Sequence, residues 1–155
     1  MDSLKKKNTE TPPPPPPPPP PRGMGNLPYN EGVLSEMNAM YQTYKDYPGI
    51  DCSEIAEDLY KASGGRGKIY NIQPKNSDLN KMGMENLDKV TPTESNMMKG
   101  YAYGKQEEYL YHNIYSDGVY VYDPRYSATP VLKDDYFKSL SEINSDGLNV
   151  YEVKP

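Results

Sequence analysis

Residues 107–125 read EEYLYHNIYSDGVYVYDPR and contain His112, the only histidine of the chain. On both sides of Asp117-Gly118, the side chains alternate between a largely aliphatic set and a set that is mostly tyrosine. This period of two, rich in Tyr, Val and Ile, indicates two β-strands. An Asp-Gly pair between two such runs is a strong hairpin signal, because both central residues of a type I′ turn need positive φ. The stretch is therefore predicted to form a β-hairpin.

The register of this hairpin determines which side chains His112 can meet. If the Asp-Gly pair alone forms the loop, Ile114 lies opposite Val121 and His112 lies opposite Asp123. Directly opposed residues project from the same face of a sheet, with Cα atoms about 5.5 Å apart in a hydrogen-bonded pair. The histidine and the carboxylate would then share a face with aliphatic neighbours. A three-residue loop would shift the register by one and pair His112 with Tyr122 instead.

The composition limits the classes of protein to which the chain can belong. It has 155 residues, and its low-complexity N-terminus leaves about 120 residues for one hydrophobic core. The formal net charge of -5 disfavours binding to nucleic acid or to an anionic membrane, since both require clustered Lys and Arg. A single cysteine excludes an intramolecular disulfide, which suits a reducing compartment. No apolar run approaches the length of a membrane span or follows the N-terminal lysines as a secretory signal would.

Residues 1–31 are predicted to be a disordered, proline-rich tail or linker, with unbroken proline from Pro12 to Pro21. Such a run adopts the polyproline II helix, at about 3.1 Å per residue. We interpret it first as a stiff spacer, which suggests that the following domain is one module of a larger polypeptide. The alternative is a ligand for an aromatic-groove module of the SH3, WW or profilin kind.

Residues 32–155 are predicted to form one α+β domain, in which helices come first and most strands follow. The strands are expected to form an antiparallel sheet on which the helices pack. The predicted elements besides the hairpin are a helix from Val33 to about Tyr47 that ends at Pro48-Gly49, a helix from Asp51 to Ser63, a strand from Gly67 to Gln73, an irregular connection from Lys75 to Gly104 with a short helical turn near Met82 to Leu87, a helix from Asp134 or Asp135 to Asn144, and a strand from Leu148 to Val153.

Cys52 is predicted to occupy the first position of the second helix, because Asp51 and Glu54 form a start similar to a capping box. It begins the apolar stripe of that helix, so its sulfur is expected to face the rest of the fold. Unpaired N–H groups and the dipole at a helix N-terminus favour a thiolate, the nucleophilic form of cysteine. The competing interpretation is a small buried hydrophobic residue.

Cys52, His112 and Asp123 are more informative together than separately. Nucleophilic catalysis by cysteine needs a base within reach of the sulfur and a third group that orients the base. The chain has one cysteine and one histidine, and an acid lies opposite that histidine in the simplest hairpin register. A carboxylate in that place fixes the tautomer of the imidazole and stabilises the imidazolium. These three residues are the candidate catalytic site.

The segments DCSEIAEDLY and YHNIYSDGVYVYDPR resemble the papain-like fold toxin domains found at the C-termini of bacterial polymorphic toxins. The resemblance covers about Gly49 to Val153. It implies a papain-like catalytic domain that acts as a glutamine deamidase or protease on a target-cell protein, without a cofactor. It assigns Cys52 as the nucleophile, His112 as the general base and acid, and Asp123 as the orienting group.

The resemblance also implies how such a domain is used. The module is expected to be secreted or delivered by a larger carrier protein, to act in the target-cell cytoplasm and to have a cognate immunity protein. Papain-like enzymes commonly complete the oxyanion hole with a glutamine shortly before the cysteine. In this chain the candidate is Gln42, on the first predicted helix, and the backbone N–H of Cys52 is a second donor.

Two other functions are compatible with parts of the sequence. Glu152 and Lys154 resemble the acid–lysine step of metal-dependent nuclease toxins, with Asp135 or Asp146 as the further acid, although the negative net charge disfavours this class. The second alternative is a non-enzymatic binding module that uses the tyrosine-rich hairpin face and the proline run as contact surfaces. No ligand-spacing motif for a metal is present, so no metal site is predicted.

Overall fold

The computed structural model of the protein describes residues 28–45 and 52–154. The proline run, the Pro48-Gly49 helix stop and the Asp51 cap were predicted for segments outside the described residues. In the described part, the fold is α+β, as expected, and every strand pairing is antiparallel.

Four α-helices and seven strands make up the described fold. The helices are α1 (Glu31–Tyr44), α2 (Cys52–Ala62), α3 (Leu79–Met82) and α4 (Lys133–Glu142), with two short 3-10 helices at Met84–Lys89 and Glu94–Asn96. The strands are β1 (Lys68–Pro74), β2 (Met98–Ala102), β3 (Lys105–Tyr109), β4 (His112–Ser116), β5 (Tyr120–Tyr122), β6 (Val131–Leu132) and β7 (Leu148–Val153). Five strands form the main sheet in the order β6-β5-β4-β1-β7, and β2 pairs with β3 in a separate ribbon.

The main sheet is covered on both faces, and β4 shows the alternation that makes this possible. On one face Tyr115 packs with buried residues of α1 and α2, such as Met37 and Leu59. On the other face Ile114 packs with residues of β2 and α4, such as Leu140. Burial on both faces removes apolar surface from water on either side of the strand, which is the main source of stability for such a layer. The hydrophobic spacing that predicted α1, α2 and α4 correctly identified the helices that provide these layers.

The first helix also has a clear local start. Asn30 precedes α1 in an extended conformation, and its Oδ1 accepts a hydrogen bond of 3.1 Å from the backbone N–H of Val33. This bond satisfies one of the N–H groups that a helix start leaves unpaired. The helix therefore begins two residues before the predicted start at Val33.

The predicted register of the hairpin is wrong by two residues. The structure pairs Tyr115 with Tyr122 and Ser116 with Val121, so four residues rather than two form the loop. The side chain of Asp117 stabilises this loop, because its Oδ1 accepts hydrogen bonds from the backbone N–H groups of Val119 (2.9 Å) and Tyr120 (2.8 Å). Ser116 Oγ adds a bond of 2.8 Å to the carbonyl oxygen of Tyr120. An aspartate that binds the backbone in this way stabilises a wider loop. Because a shift of two residues preserves the strand period, the same side chains still share each face.

The irregular connection predicted from Lys75 to Gly104 is also wrong in part, because it contains strand β2. The turn between β2 and β3 has positive φ at Tyr103 (54°) and Gly104 (86°), as a type I′ turn requires. The strand that was predicted to run continuously into the hairpin is interrupted at Leu110 and Tyr111, so β3 belongs to the ribbon and β4 to the main sheet. The interruption gives His112 the first position of β4.

None of the helices in residues 28–45 and 52–154 has both the length and the hydrophobicity needed to cross a membrane.

Candidate active site

Cys52 is the first residue of α2, and its side chain is only 7% exposed. Its Sγ accepts a hydrogen bond of 3.4 Å from the backbone N–H of Asn113 on β4. The predicted orientation of the sulfur, towards the fold and at a helix N-terminus, is therefore observed. Both the helix dipole and the N–H of Asn113 favour negative charge on the sulfur.

His112 and Asp123 form a hydrogen-bonded pair inside the protein. His112 Nε2 lies 2.9 Å from Asp123 Oδ2, and both side chains are almost completely buried. The two residues are not directly opposite, because the observed hairpin register differs by two residues from the one that would pair them. They meet diagonally on the shared face, which is within reach of long side chains. The contact predicted from the sequence is present, although the register that predicted it is not.

Further hydrogen bonds hold Asp123 as a carboxylate. Tyr136 of α4 donates a hydrogen bond of 2.6 Å to Oδ2, and the backbone N–H of Arg125 donates one of 3.0 Å to Oδ1. Burial raises the pKa of Asp123, but the charge of His112, with the hydrogen bonds from His112 and Tyr136, holds that pKa below its usual value. Asp123 is therefore ionised and can only accept hydrogen bonds, so Nε2 of His112 carries a proton.

The two nitrogens of His112 have different environments. Nδ1 is buried and makes no hydrogen bond to any of the residues that the structure describes. Burial lowers the pKa of His112, but the charge and hydrogen bond of Asp123, together with the sulfur of Cys52, raise it to about 10. At neutral pH the imidazole is therefore protonated. The nitrogen that Asp123 does not use remains for proton exchange beside Cys52.

An aromatic ring covers the imidazole. The ring of Tyr109 stacks on His112 with centroids 5.2 Å apart and planes 15° apart. The guanidinium carbon of Arg125 lies 5.1 Å from the centroid of the same tyrosine. Stacking fixes the plane of the imidazole and keeps water from its face, which strengthens the His112–Asp123 attraction.

Tyr109, Tyr136 and Arg125 also belong to this site, although no sequence pattern assigned them to it. Tyr136 was predicted only to face the core, which it does, and Arg125 follows Asp123 in the DPR segment. With 16 tyrosines in the chain, composition cannot identify the two that contact His112 and Asp123. The available signal was the spacing of Tyr136 on the apolar stripe of α4.

The other residues singled out from the sequence lie elsewhere. Gln42, the candidate oxyanion donor, lies exposed on α1. Glu152, the acid of the nuclease alternative, is half-exposed on β7 and forms an ion pair of 3.4 Å with Lys68. Within residues 28–45 and 52–154, no three acidic, histidine or cysteine side chains are grouped so that they could hold a metal.

The tyrosine-rich hairpin face of the binding-module alternative is not an exposed surface. Tyr115, Tyr120 and Tyr122 are buried against α1 and α2. The alternation of tyrosine with aliphatic residues predicted two distinct faces correctly, but both of them are core. A contact surface on this face would require the two helices to separate from the sheet.

Comparison with protein-family models, with curated proteins and with solved structures found no match to this chain.

Proposed function

We propose that residues 32–155 form a papain-like, cysteine-dependent amidohydrolase with Cys52 as nucleophile, His112 as general base and acid, and Asp123 as the orienting carboxylate. One observation carries the proposal. The only cysteine lies at a helix start, its sulfur bonds the backbone N–H of the residue that follows His112, and a carboxylate binds the buried ring of His112 through Nε2. Because Asp123 binds Nε2, the other ring nitrogen is the one that can exchange a proton with the sulfur or a substrate, as a general base must.

The proposed reaction begins with a thiolate at Cys52 and an imidazolium at His112. Sγ attacks the carbonyl carbon of an amide, and the C=O electron pair moves to the oxygen, which the backbone N–H of Cys52 can stabilise. Nδ1 of His112 gives its proton to the amide nitrogen, the C–N bond breaks, and ammonia or an amine leaves a thioester. Asp123 stabilises the imidazolium before this transfer and holds the ring in place throughout.

Water completes the cycle. His112, now neutral, takes a proton from water through Nδ1 as the water oxygen attacks the thioester carbonyl. The C–S bond breaks, the thiolate of Cys52 returns, and the product is a carboxylic acid. With a glutamine side chain as substrate this is deamidation, and with a peptide bond it is cleavage. Gln42 remains a prediction for the second oxyanion donor.

The proposed biological role is that of a toxin or effector domain of the polymorphic-toxin type. The support is the resemblance carried by DCSEIAEDLY and YHNIYSDGVYVYDPR, together with the His112–Asp123 hydrogen bond and the bond of Cys52 Sγ to the backbone N–H next to His112. In this role the domain is secreted or delivered by a larger carrier and acts on a protein in the target-cell cytoplasm. An immunity protein that covers the site is the expected partner.

The test is expression of the full chain in sensitive cells, with Cys52→Ala and Glu152→Gln as matched variants. We expect the wild type and Glu152→Gln to inhibit growth and Cys52→Ala to be harmless. Mass spectrometry of host proteins should then show deamidated glutamine or a new chain end only with the active forms. A Cys52→Ala variant that inhibits growth as strongly as the wild type would contradict the proposal, and a harmless Glu152→Gln would favour the nuclease.

A further inference from the structure

A row of amide side chains, two of them buried and the third half-buried, runs across the sheet towards the start of α2. Gln73 Nε2 donates a hydrogen bond of 2.6 Å to Asn71 Oδ1, and Asn71 Nδ2 donates one of 2.7 Å to Asn113 Oδ1. Asn113 Nδ2 then donates one of 3.1 Å to Ser53 Oγ. We call Gln73, Asn71 and Asn113 the amide row.

The amide row lies where an ordinary sheet would have aliphatic side chains. Gln73 is 4% exposed and Asn71 is 2% exposed, and their neighbours on β1, Ile69 and Ile72, belong to the hydrophobic core. Amides are unfavourable in such an environment unless they are hydrogen-bonded. The bonds run in one direction: Asn71 and Asn113 each accept from the amide before them and donate to the next group. Oε1 of Gln73, at the start of the row, is buried without a hydrogen-bond partner among the described residues. The row ends at Ser53, the residue that follows Cys52.

Asn113 connects the row to both halves of the candidate active site. Its side chain is held by Asn71 and Ser53, while its backbone N–H donates to Cys52 Sγ at 3.4 Å. It also follows His112 directly in β4. The bonds that fix the Asn113 side chain therefore fix the position of the N–H relative to the sulfur.

The serine at the end of the row is fixed as well. Ser53 Oγ lies 3.0 Å from the hydroxyl of Tyr111, in the segment between β3 and β4. Either hydroxyl can be the donor of this bond. The first turn of α2 is thus bonded on one side to β4 and on the other to the segment that leads into His112.

We propose that Asn113 is a positioning residue for Cys52, held by the amide row so that its backbone N–H stabilises the thiolate. This inference rests on the proposed function, because a thiolate matters only if Cys52 is a nucleophile. A backbone donor aimed at sulfur favours the charged form over the thiol, since hydrogen bonds to an ionised acceptor are the stronger ones. The row makes that donor rigid, so no reorganisation is needed when the charge forms.

The experiment measures alkylation of Cys52 by iodoacetamide as a function of pH in the full chain, which has no other cysteine. Asn113→Leu removes the side-chain bonds and keeps the size of the residue. We expect the midpoint of its pH–rate profile to rise by about one unit, which is about tenfold slower labelling on the acid side. Asn71→Leu should give a smaller rise, and Gln73→Leu, which reaches Asn113 only through Asn71, should give the smallest.

An Asn113→Leu midpoint equal to that of the wild type, with the fold intact by circular dichroism, overturns the inference. Equal shifts in Asn113→Leu and Gln73→Leu also overturn it, because they would indicate a general loosening of the sheet. If Asn113→Leu does not fold, the same measurement is made on Ser53→Ala. Its pH–rate midpoint should be higher than that of the wild type, and an unchanged midpoint overturns the proposal. Alkylation of Cys52 needs no substrate, so it tests the role of Asn113 separately from the proposed function. The proposed function would fail in a different experiment, if Cys52→Ala still inhibited growth.

Discussion

The two faces of the main sheet support the candidate site in different ways. The face under α1 and α2 brings neutral groups to Cys52, namely the helix start, a backbone N–H and the amide row. The face under α4 and the β2–β3 ribbon holds the charged pair, His112 and Asp123, with a tyrosine on each partner. The two halves meet where His112 and Asn113 follow one another at the start of β4.

This difference predicts unequal sensitivity to substitution. A buried ion pair is expensive to form and, once one partner is removed, leaves a charge with no compensation. A buried amide that loses one bond leaves only a neutral group unsatisfied, which is a smaller loss. We therefore expect the charged face to determine the response to pH and most of the stability of the site, and the neutral face to adjust the reactivity of the sulfur.

The largest effect is expected from Asp123→Asn. It leaves the imidazole of His112 without its carboxylate, so the free energy of unfolding should fall by about 3 to 5 kcal/mol. Growth inhibition should be lost as well, because the tautomer and orientation of the base are no longer fixed. Urea titration measures the first quantity and expression in sensitive cells the second.

On the neutral face, Asn71→Leu should lower the free energy of unfolding by about 1 to 3 kcal/mol, less than the loss expected for Asp123→Asn. Asp134→Asn, an exposed acid-to-amide change on α4, is the matched control and should stay within about 0.5 kcal/mol of the wild type. If Asn71→Leu destabilises the protein more than Asp123→Asn does, the proposed difference between the faces is wrong.

The next effect is the response of stability to pH. The pKa of His112 is raised to about 10 in the folded state, so its contribution is complete below the unfolded value of about 6.5 and is lost as pH rises towards 10. Between those values the free energy of unfolding should fall by about 1.4 kcal/mol per pH unit. The pKa of Asp123 is lowered, so its contribution is present above the unfolded value of about 3.9 and is lost as pH falls below it.

Urea unfolding of a Cys52→Ala background between about pH 6.5 and pH 9 isolates the histidine, since the chain has no other. His112→Gln in the same background should remove the slope over this range. If the free energy of unfolding still falls with pH in His112→Gln, another group causes this fall, and the His112–Asp123 pair does not control the pH dependence of stability.

A smaller effect is expected from Tyr136→Phe. The hydroxyl donates to the same Asp123 oxygen that binds His112, and a hydrogen bond to a charged group contributes about 1.5 to 3 kcal/mol. Its loss should lower stability by about that amount and raise the pKa of Asp123, so acid unfolding should begin at higher pH. Circular dichroism during acid titration gives the midpoint.

Tyr126→Phe is the matched control for Tyr136→Phe. The hydroxyl of Tyr126 donates to Ser139 on α4 at 3.3 Å, where no charge is involved. Tyr126→Phe should lower the free energy of unfolding by about 0.5 to 1.5 kcal/mol and leave the midpoint of acid unfolding unchanged. Equal midpoints in the two variants would show that the Tyr136 hydroxyl does not stabilise the carboxylate.

The sequence could predict the elements that carry the site but not the loop that sets their register. Period-two patterning placed His112 and Asp123 on one face, and this survived because the shift was two residues rather than one. The wider loop is held by hydrogen bonds from two side chains, Ser116 and Asp117, and the sequence pattern does not show which turn type these bonds will favour.

Strand β2 was missed for a different reason. Its buried positions are Met98, Gly100 and Ala102, and two of these are too small to give a strong hydrophobic alternation. Gly100 is required by packing, since an added Cβ there would come within 2.8 Å of the ring of Tyr109. The residue that stacks on His112 is thus accommodated by a glycine that hides the strand signal.

The most direct measurement compares the alkylation rate of Cys52 in the wild type and in His112→Gln at about pH 6, where an ordinary thiol is almost fully protonated. If Cys52 and His112 form one reactive pair, the wild type should label rapidly and the variant at least about tenfold more slowly, because the imidazolium no longer stabilises the thiolate. Equal rates in two folded proteins would mean that the histidine does not act on the sulfur, and the proposed hydrolase would have no base.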